Sequence, residues 1–234
     1  MINRLFSIVN FTILTFLCIN FFQVRAQTLA PTQDIGAWIG LDVAYGINKW
    51  TFSVENQART HRNAIELEEY LAEIGVFHDL TESVKIGGNL RYSYARNSTL
   101  DFRHNIRYNV DVLYKKKLHK KLSWNSRLRF QHRYTDLFNF NPEYEIDSKL
   151  RFKTGVKWNP NKKNTLYFTS EIFRSYTPYT KGVFDVFRFK IGDELRLNTN
   201  ELDLAIAYQI DTGNELAYHF LFVKIAYSFR FKND

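Results

Sequence analysis

Between Asp101 and Tyr134 the side chains alternate between two chemical classes, and this constrains the fold more than any other feature of the sequence. Even-numbered positions carry mostly apolar and aromatic residues: Phe102, His104, Ile106, Tyr108, Val110, Val112, Tyr114, Leu122, Trp124, Ser126, Leu128, Phe130, His132 and Tyr134. Odd-numbered positions are mostly polar and basic. Successive side chains of a strand point to opposite faces, whereas a helix would place both classes on one face. The stretch is therefore predicted to form a long β-hairpin with one apolar and one charged face.

The same repeat recurs along most of the chain and predicts about eleven strands. Besides the two arms of the hairpin, it covers residues 34–45, 50–59, 69–77, 84–95, 144–158, 165–175, 187–197, 202–211 and 221–231. Most of these segments reach the roughly nine to eleven residues that cross a bilayer at a tilt. Short links make successive strands antiparallel, and a closed barrel leaves no unpaired edge.

The predicted fold is thus all-β, a single antiparallel up-and-down transmembrane β-barrel of ten to twelve strands. An even number places both termini on the same side of the membrane, so ten or twelve strands are favoured over eleven.

The first 26 residues have the pattern of a cleaved signal peptide. Arg4 supplies a basic start, residues 5–22 are mostly apolar, and Val24-Arg25-Ala26 precedes a predicted cleavage before Gln27. An uncleaved membrane anchor is the alternative, disfavoured because Asn10 and Asn20 interrupt the apolar run. Residues 27–234 then form the barrel domain.

Removing 26 of the 234 residues leaves 208 and lowers the formal charge from +8 to +6, because Arg4 and Arg25 are lost. The one cysteine, Cys18, lies in the leader, which excludes disulfides and thiolate sites from residues 27–234. No stretch after Gln27 approaches the roughly twenty apolar residues of a spanning helix. The helical class of membrane protein is excluded, and the 45% of hydrophobic residues must be spread through the alternation.

A soluble, lipocalin-like barrel would show the same period with its apolar face turned inward. The membrane alternative is favoured by the dense charges on the polar face and by short turns that alternate with longer loops. Aromatic residues also gather at strand ends: the predicted girdle has Trp50, Trp124 and Trp158 near the short turns and Tyr134 near the long loops. The aromatic last strand resembles the signal read by barrel-assembly machinery.

These features predict a protein of the outer membrane of a Gram-negative bacterium. Its expected partners are that assembly machinery and outer-membrane lipids, including lipopolysaccharide. Nucleic acid is not an expected partner, because the positive charge is spread along a strand face of an exported chain. The oligomeric state stays open.

Four short motifs resemble a known family. They are Asp34-Ile35-Gly36-Ala37-Trp38-Ile39-Gly40-Leu41, then Asn48-Lys49-Trp50, then Glu69-Tyr70 with Gly75-Val76, and Gly88 with Arg91-Tyr92. The pattern is similar to an uncharacterised outer-membrane barrel family catalogued as domain of unknown function 2490. The resemblance covers nearly the whole chain after the leader and implies the same fold. It implies no established activity, substrate or site residue.

The charges of the predicted inner face are unevenly distributed. A basic wall comprises Arg91, Arg103, Arg107, Arg127, Arg129, Arg133, Lys149, Arg151 and Lys153, and acidic partners on the first three strands comprise Asp42, Glu55, Glu69 and Glu73. Symmetric pairing of the central hairpin would place Arg103 opposite Arg133 and Arg107 opposite Arg129. Like charges in such positions destabilise a sheet unless an acid or an anion neutralises them.

Three functional interpretations remain open. The first is a structural barrel whose largely basic lumen is plugged by salt bridges with the acids. The second is a narrow, porin-like passive pore for small anionic solutes. The third is a lipid-modifying enzyme, for which His104, His132 and Ser126 share the outer face, although Ser126 lies six residues from His132 and no oriented carboxylate accompanies them. No phosphate loop or metal-spaced histidine cluster occurs, so no cofactor or metal is expected.

Overall fold

A computed structural model describes residues 33–96, 101–135, 146–177, 180–213 and 217–233, and all its regular elements are β-strands. The predicted signal peptide lies outside the described residues. Within the described residues no helix is long and apolar enough to cross a membrane. The strands are β1 Gln33–Ile47, β2 Trp50–His61, β3 Glu66–Asp79, β4 Val84–Arg96, β5 Phe102–His119, β6 Leu122–Tyr134, β7 Ile146–Trp158, β8 Asn164–Thr177, β9 Thr180–Leu197, β10 Asn200–Asp211 and β11 Tyr218–Asn233.

The eleven strands form one closed barrel, as predicted, with neighbours in chain order and a last contact between β1 and β11. All successive pairs are antiparallel, but β1 and β11 are parallel, in a register that runs from Gln33 beside His219 to Ile47 beside Asn233. The count lies within the predicted range, whereas the preference for an even number is wrong for the described strands. An odd number of strands that alternate in direction leaves the first and last parallel, so this seam follows from the count.

Charged side chains line the concave inner face of the barrel. Side chains from strands that are not neighbours meet there: Arg127 on β6 contacts Glu171 on β8, and Tyr167 on β8 donates a hydrogen bond to Asp203 on β10. Such contacts across an intervening strand are possible only where the sheet curves inward. The alternate residues, including Ile39, Val110 and Ile191, are aliphatic or aromatic and exposed on the convex outer face. The predicted division of each strand into an apolar and a charged face is therefore correct.

The two ends of the barrel differ. At one end, called here the short-turn end, β1 and β2 are joined by Asn48-Lys49 and β9 and β10 by Asn198-Thr199. Asn48 and Asn198 have φ of 52° and 60°, the left-handed conformation that tight hairpin turns require. The opposite, loop end includes residues 62–65. The predicted girdle residues Trp50, Trp124 and Trp158 are exposed at the short-turn end, and Tyr134 is exposed at the loop end.

Asp34 stabilises the parallel β1–β11 seam at the loop end through hydrogen bonds. Its carboxylate accepts hydrogen bonds from the backbone N–H groups of Arg62 and Asn63, at 2.8 and 3.0 Å, and from the Tyr218 hydroxyl at 3.0 Å. Arg62 and Asn63 both have positive φ, and the carboxylate satisfies the N–H groups that this conformation turns away from the ladder. One side chain thus connects β1, the β2–β3 loop and β11.

The parallel seam can be tested by cross-linking. In a Cys18→Ser background, the pair Gly40→Cys and Ala226→Cys should form a disulfide spontaneously. Gly40 pairs with Ala226 across the seam, and a Cβ on Gly40 would lie 3.4 Å from the Ala226 Cβ, close to the separation of roughly 3.5–4.5 Å in disulfides. The readout is mobility on a non-reducing gel, with mass spectrometry of the cross-linked peptide.

The matched control is Gly40→Cys with Ser228→Cys, which moves one thiol two residues along β11. Equal or faster cross-linking of this control would show that β1 and β11 do not pair in the observed register.

Candidate functional site

The centre of the barrel interior is organised around Glu171 on β8, which is only 5% exposed. Its carboxylate accepts hydrogen bonds from Arg127 on β6 at 2.8 Å and from Arg151 on β7 at 3.2 and 2.9 Å. Arg188 on β9 forms a third ion pair with it at 3.6 Å. Three guanidinium groups from three strands therefore share one buried carboxylate, an arrangement that binds neighbouring strands together through charge-assisted hydrogen bonds.

Aromatic rings complete the packing around these arginines. The Arg188 guanidinium lies 5.0 Å from the ring centres of Trp38 and Phe173, and Arg151 lies 4.3 Å from Phe173. Trp38 on β1 stacks on Phe222 of β11 with 3.7 Å between ring centres, and Phe222 has no exposed surface. Cation–π contacts of this kind supplement the shared carboxylate for Arg151 and Arg188. They also fill the interior beside the parallel seam.

A second ion-pair network lies on β3 to β6. Arg129 donates two hydrogen bonds to Asp111, at 2.7 and 2.6 Å, and Asn89 donates a third to the same carboxylate at 3.2 Å. Arg91 pairs with Glu73 at 2.6 Å. All five side chains belong to buried residues, so the pairs are desolvated and hydrogen-bonded together.

All nine residues of the predicted basic wall lie on β4 to β7. Besides the residues already described, Arg133 pairs with Asp147 at 3.1 Å, and Lys149 lies 3.6 Å from Asp147. Arg103 lies opposite Ala95 at the loop end of β5. Within the described residues, Arg107 and Lys153 form no ion pair, although Glu171 is the register neighbour of Lys153.

The predicted acidic partners divide into two groups. Glu73 pairs with Arg91 of the wall, while Glu69 pairs at 2.6 Å with Arg59, a cation that the sequence interpretation had not included. Asp42 and Glu55 are register neighbours of each other and form no ion pair within the described residues. The wall is neutralised mainly by acids interleaved with its own cations, because adjacent strands are only about 4.8 Å apart.

Those interleaved acids, Asp111, Asp147 and Glu171, were missed by sequence reasoning. The alternation places all three on polar strand faces, so their direction was predictable. Their partners were not predictable, because partner choice depends on the register between strands.

The predicted pairing of the central hairpin is wrong. Arg107 lies opposite Arg133, and Arg129 lies opposite Asp111. The reason is that β5 continues through Lys117 to His119 and turns only at residues 120–121, which displaces the register from the symmetric one. As a result, one of the two expected arginine–arginine pairs is replaced by a buried ion pair.

On the outer face, His104 and His132 are not register neighbours, since His104 is opposite Tyr94 and His132 is opposite Tyr108. His132 instead contacts Ser148, with 2.6 Å between Nδ1 and Oγ, and Ser126 contacts Thr154. Among the described residues no carboxylate contacts His132, and no cluster of three or more His, Asp or Glu could hold a metal ion. Among the described residues, His132 therefore has no orienting acid of the kind found in a catalytic triad.

Glu171→Gln should destabilise the folded barrel strongly, because three guanidinium groups, one buried and two partly buried, would lose their shared buried carboxylate. The expected loss in the free energy of unfolding is about 3–5 kcal/mol. Denaturant titration in detergent micelles, followed by tryptophan fluorescence, measures it.

The control for this variant is Glu201→Gln, which removes the partner of the half-exposed Arg230. This change should cost only about 0–1 kcal/mol. Equal losses for the two variants would contradict a central role for Glu171.

Comparison with known proteins confirms the family resemblance. Residues 35–219 match the model of a family described as protein of unknown function (DUF2490). No curated protein and no solved structure matches the chain.

Proposed function

This chain belongs to the DUF2490 family of proteins of unknown function, and we propose that it is an outer-membrane β-barrel with a closed, ion-paired interior and a structural role. The observation that carries this proposal is the buried network in which Arg127, Arg151 and Arg188 share Glu171. A transport pathway needs solvated, exchangeable charges along its walls, whereas these groups are buried or partly buried and bonded to one another. In this proposal the inner face is largely basic, because the nine arginines and lysines of the wall line it.

The proposed location rests on the outer face. An apolar surface that surrounds a barrel with a charged interior has the polarity expected for a barrel in lipid. On β6, Trp124 and Tyr134 are ten residues apart. At about 3.3 Å per residue and a tilt of about 40°, that separation spans about 25 Å, which matches the apolar band of outer-membrane barrels. The predicted cleaved leader, residues 1–26, supplies the export signal in this proposal.

The proposed partners follow from the location. Outer-membrane lipids would contact the exposed outer face, with lipopolysaccharide at the loop end. The alternating last strand, with Tyr227, Phe229 and Phe231, would be presented to barrel-assembly machinery. Because the described residues place no carboxylate on His132, we propose no catalytic role; phospholipid hydrolysis that is lost in His132→Ala would overturn that assignment.

Membrane fractionation tests the location, and heat-modifiability tests the barrel. The expressed protein should sediment with outer membranes and dissolve only with detergent. Unheated samples should migrate faster on a denaturing gel than boiled ones, because a closed hydrogen-bonded barrel resists the detergent until it is heated. A soluble protein with one mobility would contradict the proposal.

Planar-bilayer recording tests whether the interior is closed. The wild-type protein should insert without producing conductance steps, since the buried ion pairs and the Trp38–Phe222 stack occupy the interior.

Anion-selective steps would instead support the narrow pore as the second candidate, which the inward position of Arg107 and Arg129 favours. In that case Arg107→Ser with Arg129→Ser should reduce the anion preference. Arg174→Ser is the matched control, because Arg174 lies in the outer-face series of β8 beside Ile172 and Tyr176.

A further inference from the structure

Three arginines lie side by side on the inner face of β4, β5 and β6. Arg91 is the register neighbour of Arg107, and Arg107 is the register neighbour of Arg133. Neighbouring strands are about 4.8 Å apart, so the three side chains leave the sheet in one row. Like charges in directly opposed positions destabilise a sheet when nothing lies between them.

The two outer arginines of this row have acidic partners, and the central one does not. Arg91 pairs with Glu73 at 2.6 Å, and Arg133 pairs with Asp147 at 3.1 Å. The Arg107 side chain forms no ion pair or hydrogen bond within the described residues, and its Nε is buried without a partner. The Nε of Arg133 is also buried without a partner.

The surrounding carboxylates are already engaged. Glu73 forms an ion pair with Arg91 and also accepts a hydrogen bond from Asn109. Glu69 forms an ion pair with Arg59. Asp147 is shared between Arg133 and Lys149. In the described part of the barrel, each acid near the row therefore forms its ion pair with another cation. Glu69 and Glu73 act on Arg107 only at longer range, and the central arginine has no ion-pair partner of its own. A cation without an ion-pair partner is costly in an interior, so an external anion would be favourable at this point.

We propose that the barrel interior binds a small oxyanion, of the phosphate, sulfate or carboxylate class, at Arg107 between Arg91 and Arg133. A guanidinium group presents its N–H donors in a planar fork that matches two oxygen atoms of an oxyanion. The flanking guanidinium groups add positive charge on both sides. The site requires only the folded barrel, so it goes beyond the structural role and depends neither on the membrane location nor on the absence of conductance.

The decisive variant is Arg107→Gln, tested with inorganic phosphate on the full barrel in detergent. Thermal unfolding of the wild type should shift to higher temperature in millimolar phosphate relative to chloride at equal ionic strength, because ligand binding to the folded state stabilises it. In Arg107→Gln this shift should be lost. Phosphate binding, measured by equilibrium dialysis, should weaken roughly 10- to 100-fold.

The variant also separates a ligand site from a structural arginine. In chloride alone, Arg107→Gln should unfold at or above the wild-type temperature, because it removes an uncompensated charge. The matched control, Arg230→Gln at the short-turn end, should keep the phosphate response. The proposal is overturned if wild type shows no phosphate response, if Arg107→Gln responds as wild type does, or if Arg107→Gln fails to fold in chloride.

Discussion

The concave face of the sheet is lined with charged side chains, and the rest of the structure depends on neutralising them there. Buried charges are tolerated only when they are paired and hydrogen-bonded. The structure meets this requirement by placing acids between the cations of the same wall. Asp111 forms an ion pair with Arg129, and Asp147 forms one with Arg133. Where one acid must serve three cations, at Glu171, aromatic rings lie against two of the arginines. The arginines of the wall are therefore neutralised mainly by nearby acids. The uneven distribution of charges along the sequence had instead suggested ion pairs that cross the lumen.

The same interior contacts stabilise the closure of the barrel. Parallel pairing is slightly weaker per residue than antiparallel pairing, so the β1–β11 seam needs support beyond its ladder. A buried apolar cluster of the interior lies at this seam, where Trp38 stacks on Phe222 and Phe220 packs beside it. Asp34 adds a polar connection from β1 to Tyr218 of β11. The odd strand count makes the closing pair of strands parallel, and the aromatic cluster packs against that pair.

Strand alternation was sufficient to predict the fold class, the approximate strand number and the face on which each residue lies. It was insufficient for register, because a period of two residues specifies a direction and not a partner. The β5–β6 hairpin illustrates the difference: Lys115, Lys116 and Lys117 resemble turn residues in composition, yet they extend the strand and shift every pair above them. Arg129 thereby meets Asp111 instead of Arg107. The parallel β1–β11 seam could not be predicted either, since alternation carries no information about which strands pair to close the sheet.

The two arginine clusters of the interior show how neutralisation is achieved and where it is incomplete. Around Glu171 an acid and several rings act together, so each arginine there has at least one favourable contact. In the row of Arg91, Arg107 and Arg133, the described residues provide acids at the two ends and no ring at the centre. A local backbone shift cannot separate the three arginines, because the hydrogen-bonded ladder that positions Arg107 also positions Arg91 and Arg133. A mobile anion could neutralise the central charge without altering the register of three strands, which is the physical reason for the oxyanion site proposed at this row.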